Sequence, residues 1–322
     1  MKKLIIILLL IVVLSIFGYG VYNYLVSPVD PNAQITKSFV IKKGESLADI
    51  AKRLEAEGLI KNRLAFILVV KQLAIENKIQ AGSFNLTASA SAFDIAKSLT
   101  KGTNDVWVTV QEGLRAEEIA DIYAKTLNID RNEFLRLAEG KEGYLFPDTY
   151  LVPKLSTANL LINLMTKTFD KKVTQEIRSD IEKQGLSFYE GLILASLVER
   201  EARSFDEKVV VASILLKRLK NDWPLQVDAT VQYVLGYSDD EKTYWKKNLT
   251  KKDLEVDSPY NTYKYKGLPP APICNPGLDS IKSVALADVN TPYWYYLADK
   301  TGKTHFSKTL QEHNEKINKY LR

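Results

Sequence analysis

The chain has 322 residues, which is long enough for two or more compact units. Its net charge of +5 is small and spread along the sequence, which is typical of a generally solvated surface, and no segment resembles a nucleic-acid-binding module. Since Cys274 is the single cysteine, an internal disulfide is excluded and the folded units must be held together by their hydrophobic cores.

The first predicted element is a transmembrane helix. Leu4–Leu25 contains no charged residue, and a helix of that length can cross about 30 Å of hydrocarbon at about 1.5 Å per residue. Lys2 and Lys3 precede it and few basic residues follow, so we expect a single-pass cell-membrane protein with a cytoplasmic N-terminus and an extracytoplasmic remainder. Gly18 and Gly20 provide a weak cleavage site, which leaves a cleaved signal peptide as the alternative.

A short linker and two related strand–turn–helix units follow. Residues 27–37 contain two prolines and indicate a linker. Ser38–Leu54 and Val108–Tyr123 share a pattern in which an alternating strand ends at a Gly turn and a helix opens with acidic residues. This pattern is similar to the LysM module, for which Asn62–Glu76 would supply the second helix and Gln80–Asn85 the return strand. The alternative is a simple βα unit that binds no glycan.

The remainder of the chain is predicted to be mainly helical, with one long irregular region and a β-hairpin. Residues Asn221–Pro276 are rich in Tyr, Asn, Pro and Gly, and an irregular segment of this length is often functional. The residues around the Lys300–Lys303 turn predict two short paired strands. Apolar residues at helical spacing predict the helices Ala158–Lys171, Val173–Lys183, Phe188–Glu201, Phe205–Leu219 and Leu310–Tyr320.

Two acidic residues end the apolar segment Gly191–Ala202. At about 100° per residue, Glu201 continues the apolar face of the predicted helix and Glu199 lies about 200° away from it. A carboxyl group held against apolar neighbours has a raised pKa and can keep a proton near neutral pH, as a general acid must. Because Arg203 lies one turn after Glu199, we expect an ordinary surface ion pair there. The alternative for Glu201 is a solvated residue at a helix end.

Five segments of the sequence resemble those of one enzyme family. LASLVEREA, Leu194–Ala202, resembles the catalytic segment of the endolytic murein transglycosylases, the MltG (YceG-like) family. The resemblance implies cleavage of the MurNAc–GlcNAc bond within nascent peptidoglycan strands to leave 1,6-anhydroMurNAc ends, with Glu201 as acid and base and no cofactor. It also implies partnership with the cell-wall synthesis machinery. The other segments are GYLFPDTYLVP (Gly143–Pro153), PLQVDATVQY (Pro224–Tyr233), SPYNTY (Ser258–Tyr263) and GLPPAPICNPG (Gly267–Gly277).

A glycan groove beside Glu201 needs amides, hydroxyls and flat ring faces. The irregular region supplies such groups, although turn formation and solvated surface are the alternative roles for each of them. Asp228 is also a candidate for a second catalytic carboxylate. The predicted substrate-binding residues are Gln226, Asp228, Thr230, Tyr260, Asn261 and Tyr263.

Other function classes fit the sequence less well. A Cys–His transpeptidase of the sortase type would use Cys274 with His305 or His313, but the helical middle of the chain does not suit that barrel. A metal site on the two histidines lacks an evident third ligand. A non-catalytic, membrane-anchored peptidoglycan-binding scaffold built on the LysM-like units is the alternative to an enzyme.

The predicted fold class is therefore α+β, with four parts. Residues 1–26 form a transmembrane anchor and residues 27–37 a linker. Residues 38–154 form an α/β LysM-like region with a partial repeat, and residues 155–322 form a mainly helical catalytic domain with a β-hairpin. The expected partners are peptidoglycan glycan strands, the membrane and the wall-synthesis machinery, and not a nucleic acid.

Overall fold

The computed structural model describes residues 2–101 and 105–321, with side chains described from residue 9 onward. Over these residues the fold is α+β, as the sequence predicted, with thirteen α-helices and three two-stranded sheets. Contacts divide the chain into two compact units. The first unit comprises the residues up to Val108 together with Tyr150–Leu155, and the second comprises Thr109–Thr149 and the residues from Ser156 to the C-terminus.

The first unit pairs one antiparallel sheet with short helices. Phe39 lies opposite Phe84 in this sheet, and both side chains are buried in the core of the unit. Side-chain caps fix where the helices begin: Ser46 accepts a hydrogen bond from the backbone of Asp49, and Asn62 accepts two at the start of its helix. The elements are α1 (Lys2–Val26), β1 (Thr36–Ile41), α2 (Leu47–Ala56), α3 (Arg63–Gln72), β2 (Gly82–Thr87) and α4 (Ala92–Ser98).

Helix α1 is long and apolar enough to cross a membrane. Its segment Leu9–Val26 has a mean hydropathy of 1.9, and its side chains are largely exposed. A membrane anchor and a signal sequence both have this composition. The C-terminal end of α1 is different, because Val26 is only 6% exposed and belongs to the hydrophobic core of the first unit. The predicted linker also contacts the rest of the first unit, since the backbone of Asp30 donates a hydrogen bond to the Ala88 carbonyl.

The second unit is mainly helical, with one hairpin. Strands β3 (Asp105–Thr109) and β4 (Thr149–Pro153) pair with each other, and four of the five residues of each belong to the first unit. The predicted hairpin is present, with Tyr296 opposite Phe306. The elements of the second unit are α5 (Ala116–Leu127), α6 (Arg131–Ala138), α7 (Ala158–Lys172), α8 (Gln175–Lys183), α9 (Phe188–Glu201), α10 (Phe205–Lys220), α11 (Asp228–Leu235), α12 (Leu278–Ala285), β5 (Tyr295–Ala298), β6 (Thr304–Ser307) and α13 (Leu310–Tyr320).

Helix α9 is the centre of the second unit. It packs against α8, α10, α11 and α12, and every residue from Gly191 to Val198 is buried. A Cβ atom at Gly191 would lie 2.2 Å from Cγ2 of Ile181, so a glycine is required for α8 to approach this closely. The capping box between Ser187 and Glu190 fixes the start of the helix. A helix that is buried from Gly191 to Val198 therefore carries the two acidic residues at its C-terminal end.

Residues 109–149, which contain most of the second strand–turn–helix repeat, belong to the helical unit. The side chain of buried Asn275 joins them to it, since its Oδ1 accepts hydrogen bonds from the backbones of Gly143 and Leu145, both at 2.9 Å. Its Nδ2 donates to the Leu114 carbonyl at 3.0 Å and to Oε1 of Glu142 at 2.6 Å. The two compact units therefore do not meet at the boundary that the sequence predicts between residues 154 and 155. The division of the chain into four parts by function stays a prediction.

Candidate active site

Glu201 lies at the C-terminal end of α9 and lines a cleft of about 590 Å³ in the second unit. The backbone of Ala202 turns to an extended conformation, with φ −139°, and thereby ends the helix. The cleft walls come from α9, α10, α11, the hairpin, α13 and the loops that carry Gln226 and Tyr263. Besides Glu201 they include Arg200, Arg218, Gln226, Asp228, Gln232, Tyr263, Tyr295, Tyr296 and His313.

The environment of Glu201 raises its pKa to about 7, first through burial and second through the negative charge of Asp228. Three groups act in the opposite direction. Tyr296 donates a hydrogen bond to the carboxyl group, and the positive charges of Arg200 and Arg218 favour the carboxylate. Because the resulting pKa lies near neutral pH, this carboxyl group can both give up and take back a proton, as acid–base catalysis requires.

Asp228 and Tyr263 form a second polar pair on the cleft wall. Asp228 is the first residue of α11, and the Tyr263 hydroxyl donates a hydrogen bond to its Oδ1 at 2.5 Å. Burial and the bond to Asp228 both raise the pKa of Tyr263, so its hydroxyl keeps its proton. Nearby, Gln226 has a left-handed backbone with φ 53°, a conformation that costs about 1–3 kcal/mol outside glycine and is common at functional sites. Three of the predicted substrate-binding residues therefore share a cleft with Glu201.

The other three predicted binding residues are not among the residues that line the cleft. Thr230 is buried, and its hydroxyl donates to the Val227 carbonyl at 2.7 Å. Asn261 is also buried, and its side chain holds its own loop: Nδ2 donates to two backbone carbonyls, and Oδ1 accepts from the backbone of Tyr263 at 3.0 Å. The ring of Tyr260 packs against Tyr233, with centroids 4.9 Å apart. These side chains shape the loop that carries Tyr263.

The most informative group that sequence reasoning missed is Arg218 on α10. It is 6% exposed, and its guanidinium donates to the Trp294 carbonyl at 2.6 and 3.0 Å and to the Leu225 carbonyl at 2.7 Å. Since these partners are neutral, its positive charge remains to favour the carboxylate form of Glu201. Arg218 also ties α10 to the start of the hairpin that supplies Tyr296. No local pattern marks either residue, because their relation to Glu201 arises only in the folded chain.

A model of the YceG-like family matches residues 39–319, which is most of the chain. The chain belongs to the YceG-like family. This confirms the resemblance found in the sequence.

Two relatives named endolytic murein transglycosylase match nearly the full length of this chain. An endolytic murein transglycosylase of Bacillus subtilis (strain 168) is 32% identical, over 95% of this chain and 90% of the relative. Another, from Streptococcus pneumoniae serotype 2 (strain D39), is 28% identical over 98% of this chain, which spans 64% of that relative's length. The crystal structure of a YceG-like protein from Listeria monocytogenes superposes with a TM-score of 0.57 at 31% identity, covering 87% of this chain and 98% of that one.

The expected surface ion pair between Glu199 and Arg203 is wrong for this YceG-like chain. The Glu199 side chain is 7% exposed and pairs with buried Lys208, Oε1 to Nζ, at 2.9 Å. Its Oε2 accepts hydrogen bonds from the Gly277 backbone at 2.8 Å and from the Ser280 hydroxyl at 2.6 Å. The helical wheel misplaced Glu199 because α12 covers the face of α9 that the wheel left to solvent. Glu199 therefore joins three helices, α9, α10 and α12.

The structure also bears on the Cys–His alternative. Cys274 is fully buried, its thiol donates to the Ser196 carbonyl at 3.3 Å, and burial raises the pKa of the thiol. A buried thiol with a raised pKa is a poor nucleophile. His305 pairs with Asp299 at 2.8 Å beside the hairpin turn, and His313 stacks on Tyr295 in the cleft wall. A Cys–His transpeptidase is not supported by these placements.

Proposed function

We propose that the chain is an endolytic lytic transglycosylase, which cuts the MurNAc–GlcNAc bond within nascent peptidoglycan strands and leaves 1,6-anhydroMurNAc ends. One observation carries the proposal: Glu201, a carboxyl group with a pKa of about 7, lines a polar, aromatic-walled cleft in a chain of the YceG-like family. The likeness of 95% or more of this chain to proteins named endolytic murein transglycosylase supports the substrate class.

The proposed reaction needs one carboxyl group and no cofactor. Glu201 donates its proton to the glycosidic oxygen as the bond from that oxygen to C1 of MurNAc breaks. The 6-hydroxyl of the same MurNAc ring then bonds to C1, and its proton passes to the Glu201 carboxylate. Atoms and charge balance without water, because the ring supplies its own nucleophile and Glu201 returns to its starting state.

The other groups of the cleft have distinct proposed roles. Arg218 and the Tyr296 hydroxyl stabilise Glu201 after it has lost its proton. Gln226, Asp228 and Tyr263 offer amide, carboxylate and hydroxyl groups to a sugar, in line with their prediction as substrate-binding residues. Thr230, Tyr260 and Asn261 do not line the cleft, so we propose that they act by positioning the loop that carries Tyr263.

The chemistry of the new chain end tests the reaction type. Purified protein should be incubated with uncrosslinked glycan strands and the products examined by mass spectrometry. We expect long internal fragments with anhydroMurNAc ends. Reducing ends would instead show hydrolysis and would make Asp228 the leading second carboxylate. Release of disaccharides from strand termini would contradict endolytic cutting.

The pH dependence of the reaction should report the pKa of Glu201. A general acid must be protonated, so kcat/KM should fall as the pH rises through about 7. Asp228→Asn removes a negative charge that raises this pKa, so the alkaline limb of the pH–rate profile should move to lower pH. Tyr296→Phe removes a hydrogen bond that lowers it, and the limb should move to higher pH. The measurement is a pH–rate profile of anhydroMurNAc release for each variant.

Tyr293→Phe is the matched control for this profile, because Tyr293 precedes the same hairpin but does not line the cleft. Its alkaline limb should coincide with that of the unmodified chain. Shifts of Asp228→Asn and Tyr296→Phe in the same direction, or no shift in either, would contradict the assignment of the limb to Glu201.

We propose a single-pass location in the cell membrane, with the N-terminus in the cytoplasm and the bulk of the chain outside. The apolar helix α1 and the preceding Lys2 and Lys3 support it. Protease added to intact spheroplasts should therefore digest the C-terminal unit. The measurement is an immunoblot against a C-terminal epitope tag, which should disappear. Full protection of that tag, with digestion only after lysis, would contradict the orientation.

We also propose that the first unit contains a LysM-like subdomain that binds glycan, and that the chain acts together with the wall-synthesis machinery. The order β1–α2–α3–β2, with β1 and β2 antiparallel, supports the LysM-like subdomain. Gly44, at the turn after β1, has a left-handed φ of 80°, as the Gly turn of the sequence pattern requires. Glycan strands and the enzymes that make them are the partners proposed for the whole chain.

A further inference from the structure

Helix α3 carries two exposed leucines one turn apart. Leu64 is 64% exposed and Leu68 is 57% exposed, whereas Phe66 and Val69 on the opposite face are fully buried in the core of the first unit. Single exposed leucines are ordinary on protein surfaces. Leu64 and Leu68 differ from such residues because the apolar helix α1 contacts the helix that carries them.

The segment that contains α3 and both leucines contacts the end of α1. Gln72, one turn after Leu68, accepts a hydrogen bond from the Tyr22 hydroxyl through Oε1 at 3.0 Å. Before the start of α3, the ammonium of Lys61 donates to the hydroxyl of Ser27, the residue that follows α1, at 2.9 Å. Contacts just before α3 and at its last residue therefore place the two leucines beside the C-terminal end of α1.

Two further contacts fix the position of the α3 segment along α1. The Lys61 ammonium also lies over the Tyr24 ring, 4.1 Å from its centroid, and Val26 is buried in the core that α3 helps to form. Lys61, Arg63 and Lys71 give the α3 segment three positive charges, and residues 61–72 contain no acidic residue. An exposed apolar row bordered by basic side chains is the composition of a helix that lies on an anionic membrane surface.

We propose that α3 lies in the outer interface of the membrane that α1 spans, with Leu64 and Leu68 inserted at the boundary between headgroups and acyl chains. The basic residues beside them contact anionic phospholipid headgroups. The first unit is thereby fastened to the bilayer surface at two places, α1 and α3. This inference rests on α1 as a membrane anchor and does not depend on the proposed glycan chemistry.

Membrane depth can be measured by spin labelling of the full chain in nanodiscs that contain phosphatidylglycerol. Cys274 is buried, so Leu68→Cys offers a single reactive thiol for the label. We expect the ratio of oxygen to nickel-chelate accessibility at position 68 to be several-fold higher than at the matched control Leu155→Cys. Leu155 is 96% exposed and belongs to the same unit, but it lies outside α3.

A label at Phe17→Cys, inside α1, separates this proposal from the anchor on which it rests. A deep reading at position 17 with a water-like reading at position 68 would overturn the α3 proposal and leave the anchor standing. Spin–spin broadening at position 68, or a label reached by neither relaxation agent, would overturn it in favour of a second copy of the chain on this face. Equal depth at position 68 in phosphatidylcholine alone would overturn the part assigned to anionic headgroups.

Discussion

Glu201→Gln should lower the release of anhydroMurNAc ends by about 10²–10⁴-fold or more, since general acid–base groups typically contribute that much. The amide keeps the shape of the side chain but has no proton to give to the glycosidic oxygen. It also cannot accept the proton of the MurNAc 6-hydroxyl. The loss should fall on kcat, with little change in KM, because the substitution leaves the walls of the cleft intact.

Loss of activity in Glu201→Gln should come without loss of stability. The folded pKa of Glu201, about 7, lies above the ordinary glutamate value of 4.5, so the folded state binds more protons between those pH values. Its contribution to stability is present below pH 4.5 and is lost as the pH rises through about 7. At pH 8 the variant should therefore unfold at the same temperature as the unmodified chain or at a higher one.

Glu190→Gln is the matched control, because Glu190 lies in the same helix but at its N-terminal capping box, away from the cleft. Its rate of product release should be close to that of the unmodified chain. If Glu201→Gln kept full activity, catalysis would lie elsewhere. If purified protein released no product and Glu201→Gln kept the full cellular role, the non-catalytic scaffold would be favoured.

The elements that the sequence predicted well are those whose signals are local. Helix α9 has the ends that the sequence predicts, because the apolar run that marks it lies within the helix itself. The hairpin β5–β6 was predicted around its turn for the same reason. The fold class follows from such elements, since each needs only a few neighbouring residues to be recognised.

Long-range packing explains what the sequence left open. The wheel placed Glu199 on the solvent face, but its partners Lys208 and Ser280 belong to helices whose packing against α9 no periodicity reveals. Arg218 and Tyr296 reach the neighbourhood of Glu201 in the same way. The repeat at Val108–Tyr123 has the local pattern of Ser38–Leu54, yet most of it packs in the other compact unit. Similar local structure did not determine where a segment packs.

Glu199→Gln should destabilise the second unit by about 3–5 kcal/mol, the usual cost of removing one partner from a buried ion pair. Lys208, 3% exposed, would keep its charge without its closest partner, and Gln could retain only part of the bonding to Gly277 and Ser280. The carboxyl group of Glu112 also interacts with the charge of Lys208, which places the expected loss toward the lower end. Helices α9, α10 and α12 would loosen together.

Urea unfolding followed by tryptophan fluorescence is the measurement for Glu199→Gln, because Trp223, Trp245 and Trp294 all belong to the second unit. The midpoint should fall for Glu199→Gln and should hardly move for Arg203→Ala, since Arg203 is exposed. The double variant Glu199→Gln, Lys208→Met should recover part of the loss, because it removes the stranded charge. An unchanged midpoint for Glu199→Gln, or a shift as large for Arg203→Ala, would contradict a structural role for the buried pair. Folded Glu199→Gln should keep its activity per folded molecule, which separates its loss of stability from the loss of chemistry in Glu201→Gln.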